Sequence, residues 1–285
     1  GCLSGWRMGS SEKVFRIGLV APGTRMSKSL AQKAIEVAER QYGGRVELLF
    51  HPQCFEQAGH FAGPDRARID ALVEVANDPE VDAVWLARGG YGACRVAEYA
   101  IPQLHERARG KKWLGYSDAG FLLAGLYKAG FRHVAHGPMP VDLIREDGEQ
   151  AVRRGLAWLV DGAASSLERG VTPGHPNLAF NLTILSQLLG TPLEPKLEGH
   201  VLMLEDVGEY MYRIDRYFYH VTSNAHVRRA AGIRLGRCSA VPKNDPDFEL
   251  TEEEVARFWC ERSGIPYLGR ADIGHDSDNK VVPFG

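Results

Sequence analysis

Cysteines are few in this sequence, and nothing suggests that they pair. Cys2, Cys54, Cys94, Cys238 and Cys260 are five in number, far apart, and form no C-x-x-C pair. That excludes a disulfide framework and a zinc-ribbon pattern, and it suits a reducing compartment, so the expected location is cytoplasmic. No apolar run approaches the roughly 20 residues that span a bilayer. The opening stretch Gly1–Met8 also lacks the long apolar core of a signal peptide and is left out of the fold reading. An excess of one charge is missing too: 34 Lys+Arg stand against 36 Asp+Glu, a net of −2. This argues against a nucleic-acid partner held by phosphate contacts. No H-E-x-x-H and no Walker sequence occurs, and Gly90-x-Gly92 is followed by Arg95 where a dinucleotide fingerprint needs its third glycine. His51, Cys54 and His60 lack a fourth ligand for zinc. The expectation is therefore an enzyme or binding protein without metal or cofactor.

What is present is a chain of 285 residues, 44% hydrophobic and 25% charged, enough for a sizeable core in one large or two modest domains. Strand-like runs at Phe15–Val20, Val46–Phe50, Val81–Ala87, Lys112–Tyr116 and His133–Pro138 alternate with helical patterns at 27–40, 65–76 and 119–129. That alternation predicts an α/β fold with a parallel, doubly wound sheet, whose ligands lie at the carboxyl ends of its strands. Residues 14–145 form the expected N-terminal domain. A charged, then Gly/Ser/Pro-bearing stretch over 146–176 carries one helix (151–160) and reads as a connection. Residues 177–285 form the smaller α/β domain, with helices expected at 181–189, 212–230 and 252–262 and strands at 200–204, 233–238 and 267–273.

Four segments could carry chemistry. In Gly115-Tyr116-Ser117-Asp118-Ala119 a serine sits between a strand and a helix, the layout of a nucleophile elbow, although Ser-Asp at a helix start also serves as an N-cap. Arg88-Gly89-Gly90-Tyr91-Gly92 follows a strand, where glycine amides can approach a ligand as part of an oxyanion hole or as a plain turn. Glu205 and Asp206 are placed directly after a strand, where Glu205 could orient a histidine or belong to a capping cluster. His275, in a Gly-flanked polar loop, is a candidate general base or a solvated residue. Ser117, Glu205 and His275 together supply what none supplies alone: a hydroxyl that needs a base, and a base that needs a carboxylate to hold its tautomer. His133 and His136 point to opposite faces of a strand, and His220 and His226 fall on one amphipathic helix.

These segments, in this order, resemble the serine LD-carboxypeptidases, a family that includes muramoyltetrapeptide carboxypeptidases and microcin C self-immunity hydrolases. Ala21-Pro22-Gly23, Phe61–Arg68, Asn181-Leu182-Thr183, Leu189–Pro192, Tyr212–Arg216 and Pro283-Phe284-Gly285 extend the likeness over most of the chain. The resemblance implies a flavodoxin-like N-terminal domain and a smaller C-terminal one, with the site in the cleft between them. It implies Ser117 as nucleophile, His275 as general base and then acid, Glu205 as orienting carboxylate, and the backbone amides of Gly90 and Asp118 as the oxyanion hole. Arg88, Gly89, Tyr91 and Asn181 are the expected substrate contacts. The implied substrate is a small peptide, a murein tetrapeptide cut between L-diaminopimelate and D-alanine, or a peptidyl- or aminoacyl-nucleotide in the immunity type. A homodimer is also implied. Two departures border the site: Ala119-Gly120 stands where Ile-Thr is frequent in the family, and Phe180 precedes Asn181 where Gly-Asn is usual. A general α/β-hydrolase fits less well, because Gly115-x-Ser117-x-Ala119 lacks the final glycine. In a non-enzymatic two-domain binding protein, Ser117 would be a helix cap and the three side chains would not converge.

Overall fold

In the computed structural model, which describes residues 13–171 and 174–285, the chain builds two sheets flanked by helices. The opening stretch Gly1–Met8, with Cys2, lies outside the described residues. The first sheet comprises β1 (Phe15–Val20), β2 (Val46–Phe50), β3 (Ala83–Leu86), β4 (Lys112–Gly115), β5 (His133–His136) and β10 (Val282–Pro283), in the order β10-β5-β4-β3-β1-β2. All neighbours are parallel except β10, which runs antiparallel to β5. Strand order reverses between β1 and β3, and in a doubly wound sheet that switch point is where a crevice opens at the carboxyl ends. The second sheet is parallel, in the order β6 (Asn177–Asn181), β7 (Val201–Val207), β8 (Gly232–Ser239), β9 (Tyr267–Arg270).

The helices are α1 (Lys28–Tyr42), α2 (Asp65–Asn77), the short α3 (Ala97–Ala100) and α4 (Glu106–Arg109), α5 (Gly120–Lys128), α6 (Gly148–Asp161), α7 (Leu182–Leu188), α8 (Met211–Ser223) and α9 (Glu252–Ser263). Sequence sets their ends. Ser27 Oγ accepts from Leu30 N at the start of α1, and a Thr251/Glu254 capping box opens α9. Their apolar stripes face the sheets: Ala31, Ala34, Val37 and Ala38 of α1, and Ile214, Phe218 and Val221 of α8. One buried cluster runs from Leu72 and Leu122 through Phe180 to Phe218 and Ile233, so the two sheets share a core. None of the described helices is long and apolar enough to cross a membrane.

The structure corrects four readings. Strand β7 continues to Val207, so Glu205 and Asp206 lie within it rather than after it. The helix expected over 212–230 ends at Ser223, because Asn224 Oδ1 accepts from His226 N and Val227 N and turns the chain. His226 is therefore off the helix. Asn177–Asn181, passed over as a strand, is fully buried as β6; its two terminal asparagines hide the pattern, since asparagine is depleted in strands. The tail also returns to the first sheet as β10, and α6, within the expected connection, packs against α1 and β4.

Candidate active site

Strand β4 ends at Gly115, Tyr116 is extended, and Ser117 turns the chain with φ 63° before a helical turn leads into α5. A side chain in the left-handed region costs roughly 1–2 kcal/mol and is held only by its surroundings. Its effect is to raise the hydroxyl out of the sheet, as a nucleophile elbow does. Ser117 Oγ does not cap the helix. It lies 3.0 Å from His275 Nε2, and His275 Nδ1 lies 2.6 Å from Glu205 Oε2. The three side chains converge from the β4 turn, β7 and the loop after β9 (Ala271–Lys280).

Each member is positioned by identifiable packing. Glu205 is fully buried at a register shift in β7, opposite Gly236. A Cβ on Gly236 would stand 2.8 Å from that of Glu205, so only glycine leaves the carboxylate its space. The His275 loop is clamped by Arg237, which donates through Nε and Nη2 to Asp276 (2.6 and 2.9 Å) and through Nη1 to Asp272 (2.7 Å). Asn279 Oδ1 accepts from Gly274 N, and Arg154 of α6 donates to the carbonyls of Ser277 and Asn279. The His275 ring lies against Tyr116, with centroids 4.9 Å apart. Burial alone would lower its affinity for a proton, but the charge and hydrogen bond of Glu205 outweigh burial, so its pKa is raised.

The glycine-rich turn after β3 forms the opposite wall. Gly90 has φ 86°, and Thr24 Oγ1 occupies the space a Cβ would need, while that hydroxyl donates to Gly89 O. A Cβ on Gly89 would stand 3.1 Å from that of Ser117, so this glycine lets the turn close over the serine. The Asp118 carboxylate ties the two turns together by accepting from Gly92 N (3.0 Å) and Ala93 N (3.2 Å). Its burial raises its pKa against those two bonds. Buried Arg68 adds bonds to the carbonyls of Pro22, Gly63 and Gly92.

The expected substrate contacts separate into two groups. Arg88, Gly89 and Tyr91 lie on this wall; Tyr91 is half exposed and lines a cavity of about 470 Å3 with Cys94, Asp118, Phe121 and Ile184. Asn181 is instead buried, and both ends of its amide are engaged internally: Oδ1 caps α7 through Ile184 N, and Nδ2 donates to Asp206 Oδ1. Asp206 also accepts from Thr183 N and Oγ1 and is pushed up to about 6, chiefly by burial. Away from the site, His51 pairs with Glu74, and Cys54 is buried against Leu19 O.

Sequence reasoning missed the support beneath His275. Tyr116 Oη donates to Asp142 Oδ1 at 2.6 Å, Arg145 Nε donates to the same oxygen, and Met139 N to Oδ2. His136, fully buried beside the Tyr116 ring, has no hydrogen-bond partner on either nitrogen among the described residues and is pushed down to about 3, chiefly by burial. It is therefore neutral. The one signal available in sequence was Tyr116 itself, adjacent to the candidate serine.

Comparison with known proteins follows the same lines. Residues 17–137 match the LD-carboxypeptidase N-terminal domain family, and residues 178–285 the LD-carboxypeptidase C-terminal domain family. A Synechocystis sp. protein provisionally named a carboxypeptidase is 31% identical over 95% of this chain and 89% of its own length. The murein tetrapeptide carboxypeptidase of Pseudomonas aeruginosa is 25% identical over 95% of this chain and 91% of its own. Among solved structures, muramoyltetrapeptide carboxypeptidase from Oxalobacter formigenes superposes with a TM-score of 0.78 at 24% identity, covering 95% of this chain and 92% of that one. MccF in complex with glutamyl sulfamoyl guanosine gives a TM-score of 0.77 at 16% identity, covering 96% and 92%. These two structural likenesses concern the fold. By both family matches and the near full-length relative, the chain belongs to the LD-carboxypeptidase family of peptidases.

Proposed function

We propose that the protein is a serine LD-carboxypeptidase that removes the terminal D-alanine from murein tetrapeptides in the cytoplasm. The observation that carries this reading is the continuous chain from Ser117 Oγ to His275 to Glu205. The names of the Pseudomonas and Oxalobacter relatives favour a murein tetrapeptide as the substrate.

In this reading His275 Nε2 takes the Ser117 proton as Oγ attacks the carbonyl carbon of L-diaminopimelate. Glu205 holds the Nδ1–H tautomer and stabilises the imidazolium that forms. The oxyanion lies between the amides of Gly90 and Asp118, on turns that Thr24 and the Asp118 carboxylate hold in place before substrate arrives. His275 then gives its proton to the leaving D-alanine nitrogen. Water, deprotonated by the same imidazole, cleaves the Ser117 ester.

The test is mass-spectrometric turnover of a defined murein tetrapeptide. Wild-type protein should release D-alanine, and Ser117→Ala should be slower by at least about 1,000-fold. A Ser117→Ala protein that works at the wild-type rate would remove the serine from the mechanism. Faster turnover of an aminoacyl-nucleotide than of the tetrapeptide would move the protein to the immunity-type chemistry.

A further inference from the structure

A carboxypeptidase must distinguish a chain end from a mid-chain bond, and the group that marks the end is the free carboxylate. Beside the glycine-rich turn lies a cavity of about 430 Å3, lined by Thr24 and Arg25 after β1, Gln57 and His60 after β2, Arg88 after β3 and Ile144 after β5. It thus opens at the β1/β3 switch point, where a doubly wound sheet places its ligands. Its lining includes two arginines and a histidine but no carboxylate.

Arg88 is the unusual member. It is partly buried, yet among the described residues no Asp or Glu pairs with it. Its Nη1 donates to Arg25 O (3.1 Å), and its buried Nε finds no acceptor among the described residues. Burial lowers its proton affinity, with no neighbouring charge working the other way. Most arginines near the site are spent otherwise: Arg68 and Arg95 on Asp65, Arg145 on Asp142, Arg237 on Asp272 and Asp276. A desolvated guanidinium without a counter-charge is costly, and the cost is recovered when an anion arrives. Arg88 is also next in the chain to Gly89, which packs against Ser117, so Gly89 alone stands between the arginine backbone and the nucleophile. In a substrate that loses one residue, the carboxylate is separated from the scissile carbonyl by a single residue, roughly 4 Å of chain.

Resting on the carboxypeptidase reading, we propose that this cavity is the subsite for the leaving residue and that Arg88 grips its terminal carboxylate, making it the residue that determines specificity for a chain end. Arg25 stands at the rim through which the anion enters, beside His60, whose ring nitrogen is fixed on Tyr91 O (2.9 Å). The separate cavity lined by Tyr91, Phe121 and Ile184, which Asp118 next to the serine also lines, is left for the acyl portion.

The experiment compares kcat/KM for a tetrapeptide ending in D-alanine and for the same peptide ending in D-alanine amide. Wild-type protein should prefer the acid strongly. Arg88→Gln should cut the acid-to-amide ratio by about 100-fold, mainly through KM, with Arg88→Lys intermediate. Labelling of Ser117 by a fluorophosphonate reports that each variant keeps its assembled nucleophile. A ratio unchanged in Arg88→Gln overturns the assignment while leaving the carboxypeptidase reading intact, whereas equal use of acid and amide by the wild type overturns both. Failure of the wild type to cleave either peptide overturns that reading and takes the subsite with it.

Discussion

At His275 two opposed physical effects meet in one residue. Burial works against charge on His275, and the carboxylate 2.6 Å away more than offsets it. Only the neutral imidazole can accept the serine proton, so activity should rise with pH through this raised pKa. Glu205→Gln removes the charge and leaves burial in command. The acid limb of the kcat/KM profile should then move to lower pH, and the rate at its plateau should fall by about 1,000-fold or more, because the wrong tautomer is no longer disfavoured. A pH–rate profile checks both, and an unshifted acid limb would assign that limb to another group. Stability carries the same signature. A histidine whose pKa is raised by folding contributes stability that is full below its ordinary value of 6.5 and is lost as pH rises through the raised one. The wild type should therefore lose this contribution on the alkaline side, by denaturant titration at several pH values.

Among the elements, the start of α5 and the end of β6 pack directly against each other at Gly120 and Phe180. Gly120 opens α5, and a Cβ there would meet Ile184 at 3.2 Å and the Phe180 ring at 3.4 Å. The missing side chain at Gly120 on α5 thus makes room for the Phe180 ring on β6. Gly120→Thr should force the Phe180 ring aside and destabilise the protein by about 1–3 kcal/mol, the range for overpacking. Adding Phe180→Gly should cost less than the sum of the two single changes. A double-mutant cycle by chemical denaturation measures that coupling; strict additivity would show the two positions to be independent. The Ser117–Asp118–Gly92 connection belongs to the same scale, since one carboxylate holds two loops from different strands in register.

For the whole molecule, the tail decides how the two sheets behave. Phe284 is buried between Tyr127 of α5 and Phe180 of β6, its N–H donates to Val134 O on β5, and Gly285 N donates to Asn177 O on β6. The last residues therefore bind both sheets, and the triad, drawn from both, depends on that seam. Phe284→Ala should lower stability by about 3–5 kcal/mol, as expected for a large ring deleted from a packed core. Calorimetry of the wild type should show a single unfolding transition; two separate transitions would mean the shared core does not couple the sheets.

The order of the elements was legible in the chain because it rests on local physics. Hydrophobic periodicity marks α1, α2 and β1–β5, glycine and asparagine mark the turns, and the strand–serine–helix run marks Ser117. The types of residue needed for the chemistry were legible for the same reason. The parts that escaped depend on distant partners. Glu205 belongs to a strand because β6 and β8 extend their pairing beyond the apolar run, and β10 exists because β5 has a free edge for it. Asn181 looked like a substrate contact until Asp206 claimed its amide, and His136 and Asp142 acquire meaning only beneath Tyr116. Sequence by itself determined which strands and turns form and which groups could react. Tertiary structure alone decided that Ser117, His275 and Glu205 meet, and that Arg88 is left without a counter-charge, because contacts across 63 to 158 residues of chain are properties of packing rather than of local pattern.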